Sequence, residues 1–240
     1  DAQDGRGQQG REHLVDGAPG TRETDPTRNP KSMTPTDADK ALGIVTTSDV
    51  FAATPGAFGS HTQDRGAGTG ICDQFLDEAA AKANLRVLMG GGRKWFLPAD
   101  NSLGAGSARV TGSDYVLPDE LATGWGVAAG TVDVNRNLIG DFQAAGFAYA
   151  PDKATLASVA TGATRLLGLF AYSNMNVAKD KIDGRRGAIP AGATQTVVAD
   201  YGLTDQPLLE EMTAAAIQVL AKTPAGCVLM VEAASIDKQA

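Results

Sequence analysis

Cysteine is scarce: the 240 residues hold only Cys72 and Cys227. With no CxxC pair, neither a zinc knuckle nor a dithiol redox motif is present. Cys227 lies in Gly226-Cys227-Val228-Leu229-Met230-Val231, which reads as a buried strand, so an inert core thiol is its expected role. A Cys72–Cys227 disulfide stays open for an exported protein. No apolar run approaches the roughly 20 residues needed to span a bilayer, so no membrane span is expected. Lys and Arg nowhere form a block, and the formal net charge is −7; an acidic chain of this kind is a poor partner for nucleic acid or an anionic membrane. The chain opens on Asp1-Ala2-Gln3, with neither a starting Met nor a basic-then-apolar leader. That start suits a processed or truncated chain and leaves the compartment open.

What is present suffices for one substantial α/β domain with a real core, since hydrophobic residues make up 42% of the chain. Residues 1–36 are the exception. Their large aliphatic side chains are Leu14, Val15 and Met33 alone, too little apolar surface to offset the entropy of ordering. We expect a loop or poorly ordered arm there and the α/β domain over 37–240.

From residue 40 short apolar runs alternate with helical spacing. Leu42-Gly43-Ile44-Val45-Thr46-Thr47 predicts a strand, and Ile71, Phe75, Leu76 and Ala79 predict a helix over 69–83. Leu85-Arg86-Val87-Leu88-Met89 is the next strand, ended by Gly90-Gly91-Gly92. Leu138, Ile139 and Phe142 predict a short helix over 137–145, and Leu166–Ala171 a further strand. The clearest helix spans 207–222: Pro207 suits its first turn, Glu210 and Glu211 face the positive end of the dipole, and Leu208, Met212, Ala215 and Val219 form its stripe. Lys222, Pro224 and Gly226 mark its stop, and strand 227–232 follows. Such alternation means a mostly parallel sheet covered on both faces. The Gly-, Ala-, Ser- and Thr-rich stretches 98–113 and 184–197 read as surface loops.

Two carboxylates carry the strongest chemical hint. Glu232 and Asp237 follow an apolar strand at its carboxyl end, where open α/β sheets bind ligands, and carboxylate oxygens suit Mg²⁺ and Zn²⁺. On spacing alone, two solvated acids at a strand end are the favoured reading of the pattern.

The stretch VEAASIDKQ over 231–239 resembles the VEGASIDKQ motif of alkaline phosphatases, with Ala233 in place of Gly. Three further blocks follow the order of that family. Gly43-Ile44-Val45-Thr46-Thr47 with Ala53-Thr54-Pro55 and Ser60-His61 through Arg65 is similar to its GIVTT…ATPAAF…AH…R region. Leu88–Lys94 is similar to its VLMGGGRK, a strand-ending turn; a P-loop is excluded because no GK[ST] follows. Leu167–Met175 resembles its LGLFA..NM strand. Together the blocks cover about 41 to 240.

The resemblance implies a three-layer αβα sandwich and hydrolysis of small phosphate monoesters through a phosphoserine intermediate at a two-zinc, one-magnesium site. It assigns Thr54 and Glu232 to Mg²⁺ and Asp237 to Zn²⁺, sets Lys238 near the bound phosphate, and makes Arg65 the fork that grips two phosphate oxygens. Read without it, Thr54 is a helix N-cap and Arg65 a solvated surface charge. His61 is expected to support structure rather than bind metal. The family's members are usually exported homodimers, so a periplasmic or secreted homodimer is expected.

Three departures bear on activity. Ala52 stands where the family usually carries Asp or His. No Asp-Ser pair, the setting of the family's nucleophile, occurs, and the first serine is Ser32. The remaining zinc ligands are expected outside the chain, since His13 and His61 are its only histidines. Two rival readings follow: a non-catalytic segment with at most weak phosphate or cation binding, and a superfamily relative acting on sulfate esters or phosphodiesters.

Overall fold

The computed structural model describes residues 39–110, 112, 116–189 and 205–236. Five strands form one sheet: β1 (Ala41–Asp49), β2 (Leu85–Gly91), β3 (Ala148–Ala150), β4 (Leu166–Leu169) and β5 (Cys227–Glu232), in the order β3-β4-β2-β1-β5. Every pairing is parallel. The helices are, in chain order, α1 (Ala53–Gly59), α2 (Gly68–Gln74), α3 (Asp119–Trp125), α4 (Leu138–Ala144), α5 (Lys153–Val159), α6 (Ala178–Arg185) and α7 (Leu209–Leu220). A π-helical stretch, Phe75–Ala80, continues α2, and a 3-10 turn, Arg93–Trp95, follows β2.

The strands are apolar on both faces because helices cover both. On one face Ile44, Leu85 and Leu88 pack with Ile71 and Phe75 of the α2 arm and with Phe142 of α4. On the other, Val45, Val87 and Met89 meet Met212, Val219 and Leu220 of α7, with Leu156 of α5 beside them. Each large side chain so buried contributes about 1.5–3 kcal/mol. The close seat of α7 depends on Gly43, where a Cβ would stand 2.7 Å from Leu220 Cδ1 and 2.9 Å from Leu229 Cδ1. This is the expected α/β architecture, with helices layered on each side of a parallel sheet.

The long excursion between β2 and α4 is pinned from within by Arg109, which has no exposed surface. Its guanidinium donates to both Asp73 oxygens, at 2.8 and 2.9 Å, and also to Asp133 Oδ1. Arg136 extends the cluster to Asp77 at 2.7 and 2.8 Å and to Asp141 at 2.7 Å.

Several expectations change in detail. The helix over 69–83 forms, but its second half takes π geometry. β4 ends at Leu169, although Phe170 and Ala171 remain buried. α1, α3, β3, α5 and α6 are short elements for which periodicity gave no reading. Cys227 is exposed rather than a core thiol, because it opens β5, which among the described residues pairs only with β1 and is thinly covered. Both cysteines are free thiols. The expected arm over 1–36 lies outside the described residues, as does the stretch 190–204, which takes in most of the expected loop 184–197.

Candidate active site at the carboxyl edge of the sheet

β1 runs straight through the core and ends on four polar residues, Thr46-Thr47-Ser48-Asp49. Its parallel register sets Thr46 opposite Glu232 at the end of β5. Thr46 is fully buried, and its hydroxyl donates to Glu232 Oε2 at 2.6 Å while accepting from Ser48 N at 2.9 Å. Both capacities of that hydroxyl are used, so one Glu232 oxygen is fixed in direction. The other, Oε1, has no hydrogen-bond partner among the described residues. Thr47 Oγ1 accepts from Ala234 N at 3.0 Å and so holds the chain just past β5.

A second polar group lies on the other side of the same edge. Asn174 Oδ1 accepts from Asp49 N at 2.9 Å and from the Ser48 hydroxyl at 3.1 Å. Asp49, only 3% exposed, accepts from Trp95 Nε1 at 3.1 Å and stands 3.5 Å from Lys94 Nζ. Burial pushes its carboxyl up, against the pull of the Lys94 ammonium. Lys94 Nζ also donates to Ser173 Oγ at 3.0 Å. The turn after β2 closes on this carboxylate because Gly92 sits at φ 90°. A Cβ there would fall 2.0 Å from Asp49 Oδ1, so no side chain fits.

Thr54 and Arg65 come from the connection between β1 and α2. Thr54 lies in the first turn of α1 with its side chain exposed. It is not the N-cap; that position is Ala52, which makes no side-chain cap. Arg65 is exposed at the tip of the loop joining α1 to α2, and among the described residues it has no ion-pair partner. His61, at the start of this loop, packs its ring on Trp125 at 5.6 Å, and burial holds its pKa below the usual histidine value. Asp237 and Lys238 lie outside the described residues.

Glu232 and the Thr54 hydroxyl are hard oxygen donors and suit Mg²⁺. Neither Thr54 nor Arg65 bonds to Glu232, and no group of three or more His, Cys, Asp or Glu side chains among the described residues could hold a metal. His61 is the one described histidine and is engaged with Trp125, so a zinc site does not fit the described residues. The residues that order the edge, Thr46 and Asn174, were not singled out from sequence. Thr46 and Asn174 fell inside quoted motif blocks, but nothing in a linear pattern reveals a cross-strand hydroxyl–carboxylate bond.

Residues 33–240 match the family model described as alkaline phosphatase. Alkaline phosphatase 3 of Bacillus subtilis strain 168 is 30% identical over 199 residues, an overlap covering 82% of this chain and 30% of that protein. The human tissue-nonspecific alkaline phosphatase isozyme is 30% identical over 220 residues, covering 84% of this chain and 35% of its own length. Among solved structures, the alkaline phosphatase of Thermus thermophilus superposes with a TM-score of 0.56 at 28% identity, over 88% of this chain and 33% of that one. The enzyme of the Antarctic bacterium TAB5, at 18% identity and a TM-score of 0.50, shares the fold, and a variant of it holds magnesium. The chain spans about a third of the length of the relatives it matches. With four motif blocks in order along a parallel sheet and a family model matched over most of its length, the chain belongs to the alkaline phosphatase family.

Proposed function

We propose that a family-length protein carrying these residues hydrolyses phosphate monoesters through a phosphoserine intermediate, and that these residues supply its phosphate grip and part of its metal-binding edge. The observation that supports this most directly is Glu232, fixed by the 2.6 Å bond from Thr46 at the carboxyl edge of the sheet. Glu232 and Thr54 would hold Mg²⁺, and a divalent cation at such a site supplies positive charge that offsets the charge developing on phosphoryl oxygens. Arg65 orients the phosphoryl group with its two-pronged donor set and neutralises part of its charge. Asp237 is proposed as a zinc ligand and Lys238 as a second cation beside the phosphate. Export and homodimer assembly are proposed for the whole protein on family grounds; sedimentation and fractionation test them.

The experiment is p-nitrophenyl phosphate turnover with zinc and magnesium supplied. The family-length protein turns it over. Arg65→Ala raises KM and slows turnover without abolishing it, by about 10²-fold in kcat/KM. Sulfate-ester or phosphodiester turnover above monoester turnover would replace this reading with the superfamily-relative one.

A second reading applies to the 240 residues alone: a non-catalytic segment. It is favoured by the lack of an Asp-Ser pair and by the two histidines. Zinc-dependent turnover by the purified 240-residue chain would overturn it.

A further inference from the structure

We infer that Gln74 is a positioning residue for Arg65: its buried side-chain amide fixes the base of the loop on which Arg65 is carried. The inference rests on the reading of Arg65 as the phosphate grip.

Gln74 is the last residue of α2 and is only 8% exposed. Its Oε1 accepts from His61 N at 2.8 Å, and its Nε2 donates to His61 O at 3.0 Å. Both backbone groups of one loop residue are thus taken by one side chain, as a neighbouring strand would take them. This reciprocal pairing fixes the position of His61 and the rotation of the two peptide planes around it. Nε2 donates a third bond, to Gly70 O at 3.2 Å, so the amide is itself held by its own helix. Oε1 accepts and Nε2 donates, an assignment only one orientation of the amide satisfies.

Between this anchor and the start of α2 the loop has little freedom. Asp64 N donates to Thr62 Oγ1 at 3.0 Å, Gly66 N to Asp64 Oδ1 at 2.7 Å, and Ala67 N to Asp64 O at 3.2 Å. At the far end Gly68 lies under the Trp95 ring, where a Cβ would stand 2.6 Å from the indole. Trp95 in turn donates to Asp49 at the sheet edge. Arg65 therefore sits on a short arch with one foot on Gln74 and the other on Trp95. A guanidinium that must meet two oxygens at once is sensitive to its origin in a way that a lone charge is not. Trp95 is shared with the core, whereas Gln74 offers the loop polar contacts that can be removed at nearly constant volume.

The test uses a family-length protein carrying these residues, with p-nitrophenyl phosphate as substrate and inorganic phosphate as competitor. Gln74→Met, close in volume, is expected to raise KM and the phosphate inhibition constant about tenfold, with kcat changed less. In an Arg65→Ala background the same substitution is expected to add little, because its effect runs through Arg65. Equal effects of Gln74→Met in both backgrounds would overturn the positioning role, as a residue that merely stabilises the fold behaves that way. If Arg65→Ala raises KM and Gln74→Met does not, this inference falls and the phosphate-grip reading stands. If Arg65→Ala changes nothing, both fall. Should Gln74→Met not fold, Gln74→Glu, which keeps the acceptor and removes the donor, is measured against the same criteria. Failure of both variants to fold overturns the inference, since Gln74 would then belong to the core rather than to the loop.

Discussion

Thr46 joins two strands by a single hydroxyl, accepting from Ser48 N and donating to Glu232. Thr46→Val keeps the shape and removes both bonds, leaving a carboxylate oxygen and a backbone N–H without their partners. We expect a stability loss of about 1–3 kcal/mol in denaturant unfolding, reversed by Thr46→Ser. Lys181 gives a pH-dependent counterpart. It is 1% exposed, donates to Pro207 O at 2.8 Å, and burial lowers its pKa to about 8 from the ordinary 10.5. The folded state releases this proton before the unfolded state does. The cost of burying the charge is therefore fully present below pH 8 and is relieved as the pH rises toward 10.5. Stability of the native chain minus that of Lys181→Met should rise across that window, with a slope of up to about 1.4 kcal/mol per pH unit. A flat difference would show that the ammonium is not penalised. Nothing in the sequence marks Lys181, which sits in a mixed-polarity helix; only the tertiary packing buries it.

Strands β1, β2, β4 and β5 and helices α2, α4 and α7 were legible as elements because the sheet is covered on both faces. Apolar runs such as Ile44-Val45 and Leu88-Met89 arise from that cover, and α7 kept its stripe and its stop. β3 and the short helices α1, α3, α5 and α6 were not legible, since three strand residues or two helical turns are too few to establish a period. The close packing of α7 on β1 was also invisible in the linear order. Gly43→Ala would drive a methyl against the ends of Leu220 and Leu229. Because those ends can rotate, the expected cost is about 1–3 kcal/mol, read from the unfolding midpoint. Arg109 presents the opposite case, a residue placed by sequence in a surface loop that proves fully buried. Loop composition says where a chain lacks periodicity, not where one side chain turns inward to meet Asp73 and Asp133. Arg109→Met leaves those carboxylates without their main partner, and we expect a loss of about 3–5 kcal/mol. Limited proteolysis should then cut between residues 98 and 136 while the sheet elements stay intact.

Across the molecule, protection is uneven. β1 and β2 are paired along both edges, whereas among the described residues β5 pairs only with β1 and leaves Val228 50% and Val231 42% exposed. Of the candidate site, the motif blocks made Glu232 legible as a carboxylate at the end of a strand, which is where β5 carries it. The hydrogen bonds that orient Glu232, and the amide that seats the Arg65 loop, depend on contacts between residues far apart in sequence. In the 240-residue chain, amide exchange should be faster in β5 than in β1 or β2. Equal protection would show that β5 is covered in solution. The placement of the two thiols also gives the protein a built-in counter. Cys227 is exposed on this edge strand, while Cys72 is buried within α2 on one face of the sheet, its thiol pushed well up by burial. A brief maleimide pulse should therefore mark folded molecules once and unfolded ones twice. Intact mass then reads the folded fraction directly, and the rate of the first mark reports how freely reagents reach the outer strand.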